Sequence, residues 1–345
     1  MFEKNLKYYR LKKNMSVKEL SEACGVSAMT ISNYENGKRK PDMDMIKKLA
    51  KALDVYVVDF LASRNANLTF DHREFRKHSK LTKSQQEMVQ ESVEEYFTRF
   101  FDAVECIGGN PLPKPPACSA IKQSGDIEKD AKNLRKHLGL PEEGPIDELV
   151  GTLENKGIMV LEIDIDNDKF SGINGFVNEY PYIAINKTMR SERKRTTIMH
   201  ELAHLMFVWD ESKEKENEKT ATAIAGAALV PGPDLQRELG IHRSAITKDM
   251  ALVCDEFGVS LLLLVKRAAQ TKIISPTLEK NFYIKANKVG YKNIEPERAD
   301  DEPPKLLKQL VYRAVNEEGI SKQRGAELLR IKVSEIDQYC GPMEV

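Results

Sequence analysis

The sequence has little that would hold it together from outside its own core. Only five of 345 residues are cysteine, and Cys24, Cys106, Cys118, Cys254 and Cys340 form no CxxC pair and no regular spacing. An odd, scattered set excludes a disulfide framework and fits a reducing compartment. Net charge is missing too: 53 basic residues balance 53 acidic ones, so the whole molecule carries no field that draws it to nucleic acid or to an anionic membrane. Long apolar runs are absent. The strongest, Leu261 to Val265, is far short of the roughly 20 residues that cross a bilayer as a helix. Met1-Phe2-Glu3-Lys4-Asn5 lacks the charged-then-apolar layout of a signal peptide. A cytoplasmic protein with no membrane partner is therefore expected, and its length implies two or three domains rather than one core.

What is present is concentrated chemistry. The run Thr196-Thr197-Ile198-Met199-His200-Glu201-Leu202-Ala203-His204-Leu205-Met206-Phe207 contains HELAH, an HExxH pattern inside an apolar stretch without Gly or Pro. On a helix, residues four apart share a face, so His200 and His204 point at one place. Two imidazoles on one face suit zinc, and Glu201 is placed to act as general base. A third ligand is sought downstream, where Glu216 to Leu229 reads as a helix ended by Pro231. In it Glu218, Ala221, Thr222, Ala225 and Leu229 share a stripe. Small residues on that stripe allow close approach to the HELAH helix and would bring the Glu218 carboxylate beside the two histidines. Glu211, Glu214 and Glu216 are rival donors. Three protein ligands and an open position define the catalytic type of zinc site.

The block Arg193-Lys194-Arg195-Thr196-Thr197-Ile198-Met199-His200-Glu201-Leu202-Ala203-His204 resembles the R-x-R-F-T-x-x-H-E-L-x-H block of ImmA/IrrE-type metallopeptidases. Further blocks follow in order over residues 116 to 275: the helix Ile127 to Leu140, the strand entry Leu153 to Val160, the strands Gly172 to Phe176 and Ile183 to Asn186, and the helix Glu218 to Pro231. The resemblance implies a zincin-like α+β domain, Zn2+ as cofactor, Glu218 as third ligand and a protein substrate, possibly a repressor encoded nearby. Thr196, Thr222, Ile224 and Val230 depart from the family's Phe, Asn, Phe and Met. Thr222 matters most, since an Asn there would help to orient the site.

Residues 1 to 64 read as five short helices: Glu3 to Lys13, Ser16 to Cys24, Ser27 to Asn36, Asp42 to Leu53 and Val57 to Ala62. Ser16 and Glu19 form a capping box, Gly25 makes the turn, and Leu6, Leu20, Ala23, Val26, Ile31, Tyr34, Ile46, Leu49, Ala50, Leu53 and Val55 are the expected core. The segment carries thirteen basic residues against eight acidic ones, a local excess that favours phosphates. The stretch from Met15 to Pro41 is similar to the XRE or phage-repressor DNA-binding family. That resemblance implies that Ser27 to Asn36 enters the major groove of double-stranded DNA, with Ala28, Met29, Ser32 and Asn33 reading bases and Lys38, Arg39 and Lys40 on phosphates. Val17 stands where the family usually has a DNA-reaching Gln. A helix-turn-helix used for dimerisation or docking is the plainer alternative.

Between these parts, Thr82 to Ala103 is one amphipathic helix with a stripe of Met88, Val89, Val93, Tyr96, Phe97, Phe100 and Phe101, expected to pack on the peptidase domain or on a second protomer. The tract from Gly108 to Pro116 is a linker. Short strands are expected at Ile158 to Ile165, Gly172 to Asn178 and Tyr182 to Asn186, and an edge strand there could hold a substrate backbone by β-augmentation. Leu252 to Ala269 reads as one closing helix and His242 as a surface residue. A polar, proline-containing stretch then runs to Pro304, followed by helices at Leu307 to Asn316, Ser321 to Leu329 and Ile331 to Ile336. The expected architecture is multidomain and mainly α: a five-helix DNA-binding domain (1–64), a connecting helix and linker (65–115), an α+β metallopeptidase domain with a small sheet (116–274) and a small C-terminal helical unit (275–345), with a homodimer possible. Two functions compete. One is a zinc endopeptidase brought to its target by the helix-turn-helix; the other is a DNA-binding regulator whose metal domain senses or binds a ligand and cleaves nothing.

Overall fold

The computed structural model describes residues 1–61, 67–72, 81–165, 167 and 170–342. Most of the polar 65–80 stretch, Ala62, and the 63–64 boundary lie outside the described residues. Contacts divide the chain into two compact units, one drawn from 1–70, 75–109 and 307–345, the other from 71–74 and 110–306.

The first unit opens with α1 (Phe2–Lys12), α2 (Val17–Cys24), α3 (Ala28–Glu35), α4 (Met43–Leu53) and α5 (Val57–Leu61). Side-chain caps set the boundaries: Ser16 and Glu19 form the reciprocal capping box, and Ser27 and Asp42 each accept from the backbone N–H three residues on. Gly25 ends α2 at φ +69, in the left-handed region that costs other residues more. Leu6, Leu20, Ile31, Tyr34, Leu49, Ala50 and Leu53 are buried together, with Val17, Val26, Ile46 and Val55 packed at their edge. Ala23 is exposed instead, because α2 turns its Leu20 and Cys24 side inward. Tyr8, Tyr9, Cys24 and Phe60 complete the core. Arg10, buried under it, forks onto Glu35 at 2.6 and 2.8 Å and ties α1 to α3.

A short strand, β1 (Phe70–Asp71), precedes α6 (Lys83–Ile107), which starts at a Thr82/Gln85 capping box. Val89, Val93, Phe97, Phe100 and Phe101 are buried. Within this unit α6 packs on α1.

The second unit carries α7 (Ile127–His137), α8 (Leu149–Glu154), β2 (Met159–Ile163), β3 (Gly172–Val177), β4 (Tyr180–Asn186), α9 (Ser191–Met206), α10 (Glu214–Leu229), α11 (Gly232–Leu239), α12 (Met250–Phe257), α13 (Leu261–Gln270), α14 (Pro276–Lys288) and α15 (Tyr291–Ile294). The sheet order is β1-β3-β4-β2. β2 runs parallel to β4 and β3 antiparallel to it. One core of α7, α8, the sheet and α9 to α13 encloses the HELAH segment.

Two expectations change here. Leu252 to Ala269 is two helices, because Gly258 closes α12 in the left-handed region and Ser260 caps α13. The polar stretch before Pro304 contains α14, started by Ser275 at the cap and Pro276 in the first turn.

The last helices, α16 (Leu306–Asn316), α17 (Lys322–Leu329) and α18 (Val333–Asp337), belong with the first unit from residue 307 onward. α17 packs on α6. Arg330 there pairs with Glu95 at 2.5 Å and donates to the Tyr8 and Tyr9 hydroxyls at 2.9 and 3.2 Å.

One buried acid gives a pH prediction. Glu154 accepts the backbone N–H groups of Lys305 and Leu306, yet burial pushes its carboxyl up to about 7. A proton held more tightly in the folded than in the unfolded state means stability that is full below about pH 4.5 and lost as pH rises through 7. The loss from this group is about 3 kcal/mol. Glu154→Gln keeps an acceptor and lacks the ionisation. Urea unfolding is expected to find the two proteins alike at pH 4.5 and the variant more stable by about 3 kcal/mol at pH 8.

Candidate metal centre

Along α9 nearly every side chain is buried; Arg193, Thr196, His200 and His204 are the half-open positions. Their spacing of three, four and four residues is a single helical stripe, so the fold opens this helix to solvent only where the histidines stand. Ile198, Met199, Leu202 and Met206 fill the opposite sides. The polar first turns are held by a strap from residues 295–302. Arg190 donates to the Glu295 and Pro296 carbonyls at 2.5 and 2.6 Å, Lys194 bridges Glu162 and Asp301 at 2.6 and 2.7 Å, Arg195 pairs with Glu302, and the Arg298 N–H reaches Glu192.

α10 packs on α9, and Ala221, Ala225 and Ala228 along it are all buried. The small side chains let the backbones approach and set Glu218 opposite the open stripe. Its two carboxylate oxygens lie 3.4 Å from His200 Nε2 and 3.2 Å from His204 Nε2. The two Nε2 atoms are 3.2 Å apart. Hydrogen bonds from both imidazoles hold the Glu218 carboxyl well below the usual carboxylate range. Glu211, Glu214 and Glu216 are exposed and outside this group. Among the described residues no other His, Cys, Asp or Glu joins the three.

The donor set can be tested against an ion. Tetrahedral zinc with bonds of about 2.0–2.1 Å requires donor atoms about 3.3 Å apart. The two imidazole nitrogens stand 3.2 Å apart and each has a Glu218 oxygen at 3.2 or 3.4 Å, separations on the scale of that edge, so the donor set suits a zinc-sized cation. Thr222 supports the arrangement from one turn further on. Its hydroxyl donates to the Glu218 carbonyl at 2.8 Å and lies 3.3 Å from His200 Nδ1, where its oxygen can accept a hydrogen bond from an Nδ1–H and so leave Nε2 as the ligand atom.

Glu201, one residue on from His200 along α9, is buried. Its Oε2 accepts from Asn174 Nδ2 at 2.7 Å, and Asn174 on β3 is itself buried. Sequence reasoning missed this residue. The available signal was a polar side chain at a buried, alternating strand position, in Gly172-Ile173-Asn174-Gly175-Phe176. Trp209 also borders the site, its ring 5.3 Å from that of His204. His242 is exposed and elsewhere.

In the first unit the DNA-facing candidates are on the surface. Ala28, Met29, Lys38, Arg39 and Lys40 are exposed, and Ser32 and Asn33 are half-buried. Asn36 Nδ2 donates to the Ser32 carbonyl and hydroxyl oxygens, while the Asn33 carbonyl takes the N–H groups of Lys38 and Arg39 and fixes the start of the basic run. Val17 packs on the domain core, which accounts for an apolar residue at that place.

A five-helix helix-turn-helix unit and an α+β unit presenting two histidines and a carboxylate on neighbouring helices define a DNA-binding regulator module combined with a metallopeptidase-like one. Residues 6–60 match the helix-turn-helix family and residues 153–269 the IrrE N-terminal-like domain. The chain belongs to the XRE-type helix-turn-helix proteins that carry an ImmA/IrrE-like peptidase domain. Its N-terminal part is 39% identical over 54 residues to an uncharacterized HTH-type transcriptional regulator of Methanocaldococcus jannaschii, a match covering 16% of this chain and 82% of that protein. No helix among the described residues is long and apolar enough to cross a membrane.

Proposed function

We propose that the protein is a cytoplasmic zinc endopeptidase whose helix-turn-helix brings it to DNA, and that it cleaves a protein such as a transcriptional repressor. The observation that carries this reading is Glu201: a buried carboxylate that follows His200 on the helix of the two histidines and is oriented by Asn174, which a purely structural zinc site has no need of. Structural sites are also usually closed by four protein ligands, whereas three converge here.

His200, His204 and Glu218 would hold the ion. A zinc ion at this place supplies Lewis acidity to a peptide carbonyl and makes solvent water a usable nucleophile near neutral pH. Glu201 takes a proton from the attacking water and later returns it to the leaving amine. Asn174 keeps the carboxylate turned to the reaction, and Thr222 keeps His200 in the tautomer that leaves Nε2 available. The test is co-expression with regulators encoded nearby, looking for a fragment that disappears in Glu201→Gln.

The sequence limits 1–64 and 116–274 are our assignment of the DNA-binding and peptidase parts. Ala28, Met29, Ser32 and Asn33 would face bases, the first two suited to thymine methyls, and Lys38, Arg39 and Lys40 would face phosphates. In a gel-shift titration over salt, Lys38→Ala is expected to lower the slope of log affinity against log salt by about 0.9 and to weaken all sequences alike. An unchanged slope removes Lys38 from the phosphate contacts.

A further inference from the structure

On one side of the sheet the outermost strand is β1, a strand of two residues that ends in Asp71, and β3 is the next strand in. A β3 edge offers a row of N–H and C=O groups to any extended chain, and one so short can cover little of it. The contact is close where it occurs. A Cβ at Gly175 would lie 2.5 Å from the Asp71 carbonyl oxygen, so a glycine is what lets the segment settle. Tyr182, paired with Gly175 across β3 and β4, holds it there: His72 Nδ1 and the Tyr182 hydroxyl are 2.7 Å apart. The next residue along β3 is Asn174, which reaches Glu201. The chain's own Asp71-His72 stretch is thus seated one residue along β3 from Asn174, the hydrogen-bond partner of the group assigned as general base.

We propose that Asp71-His72 is a resident competitor for the β3 edge, one that an extended substrate backbone must displace. The inference rests on the peptidase reading for the identity of the incoming chain, and its geometry rests on β3, Gly175 and Tyr182 alone. An intramolecular strand that fills the edge most of the time lowers the apparent affinity for an added strand by the vacant fraction. Asp71 is exposed, so Asp71→Pro, which fixes φ and takes away a backbone N–H, disturbs β1 with little risk to the core.

The experiment uses the full chain, wild type and Asp71→Pro, with a fluorescein-labelled peptide of the sequence Asn67 to His72 as the probe. In Asp71→Pro the amides of 172–177 are expected to exchange faster with deuterium and to regain protection when the peptide is added. Anisotropy should report binding at least roughly 10-fold tighter than to wild type, and labelled casein should be cleaved several-fold faster. Tyr182→Phe, which keeps the ring and loses the hydroxyl, should move each readout the same way by less. Unchanged exchange in 172–177, or equal peptide affinity for both proteins, overturns the proposal. A variant that dimerises and ignores the peptide assigns the edge to a second copy and also overturns it. Peptide binding gained without casein cleavage in either protein leaves the competitor in place and removes the peptidase reading instead.

Discussion

Glu201→Gln is expected to leave zinc stoichiometry at the wild-type value while cleavage of the protein target falls by about 10²- to 10⁴-fold, the usual contribution of a positioned general acid–base. Glutamine has nearly the shape of glutamate and its carbonyl oxygen still accepts from Asn174 Nδ2, so the helix and its buried sides should be undisturbed. What it lacks is the ability to take and return a proton. Metal content measured beside turnover separates the two roles. Equal turnover in the variant would remove Glu201 from the chemistry and leave the regulator that binds a ligand through its metal site as the better account. Loss of zinc together with activity would mean that Glu201 shapes the cluster rather than acting on water.

The second large effect concerns the third donor. Glu218→Ala should weaken zinc binding by more than about 100-fold, since groups that merely orient a ligand already cost about 10- to 100-fold and Glu218 faces both imidazoles directly. Glu211→Ala, Glu214→Ala and Glu216→Ala should bind zinc as the wild type does. Competition with a fluorescent chelator gives the four affinities on one scale. If Glu218→Ala keeps its zinc while one of the others loses it, the donor set proposed here is wrong, and the approach of α10 to α9 has to be reinterpreted as packing alone. The side chain of Glu218 is half exposed, so its removal should cost little folding stability and the readout should be clean.

The HELAH helix was legible because helical spacing alone turns residues four apart to one side, and the solvent-open stripe of α9 follows that spacing from Arg193 through His204. The helices of the first unit were legible for a similar reason: Ser16 with Glu19, Ser27, Asp42 and Gly25 are local signals whose effect is spent within one turn. The same kind of local signal stands at Ser275-Pro276, which starts α14, and at Gly258, which closes α12. The strap of 295–302 over the basic turns of α9 had no local signal at all, since its ion pairs join residues about a hundred positions apart.

From its sequence alone this protein declares two histidines and a glutamate on one helix, a helix-turn-helix with a basic flank, and no means of crossing a membrane as a long apolar helix. Those properties are set by neighbours within four residues of each other or by composition. How near the Glu218 carboxylate comes to the histidines, that Asn174 backs Glu201, and that Asp71 and His72 lie against β3 were decided only in three dimensions. Each depends on the separation of two backbones that packing fixes, and no local pattern encodes that distance.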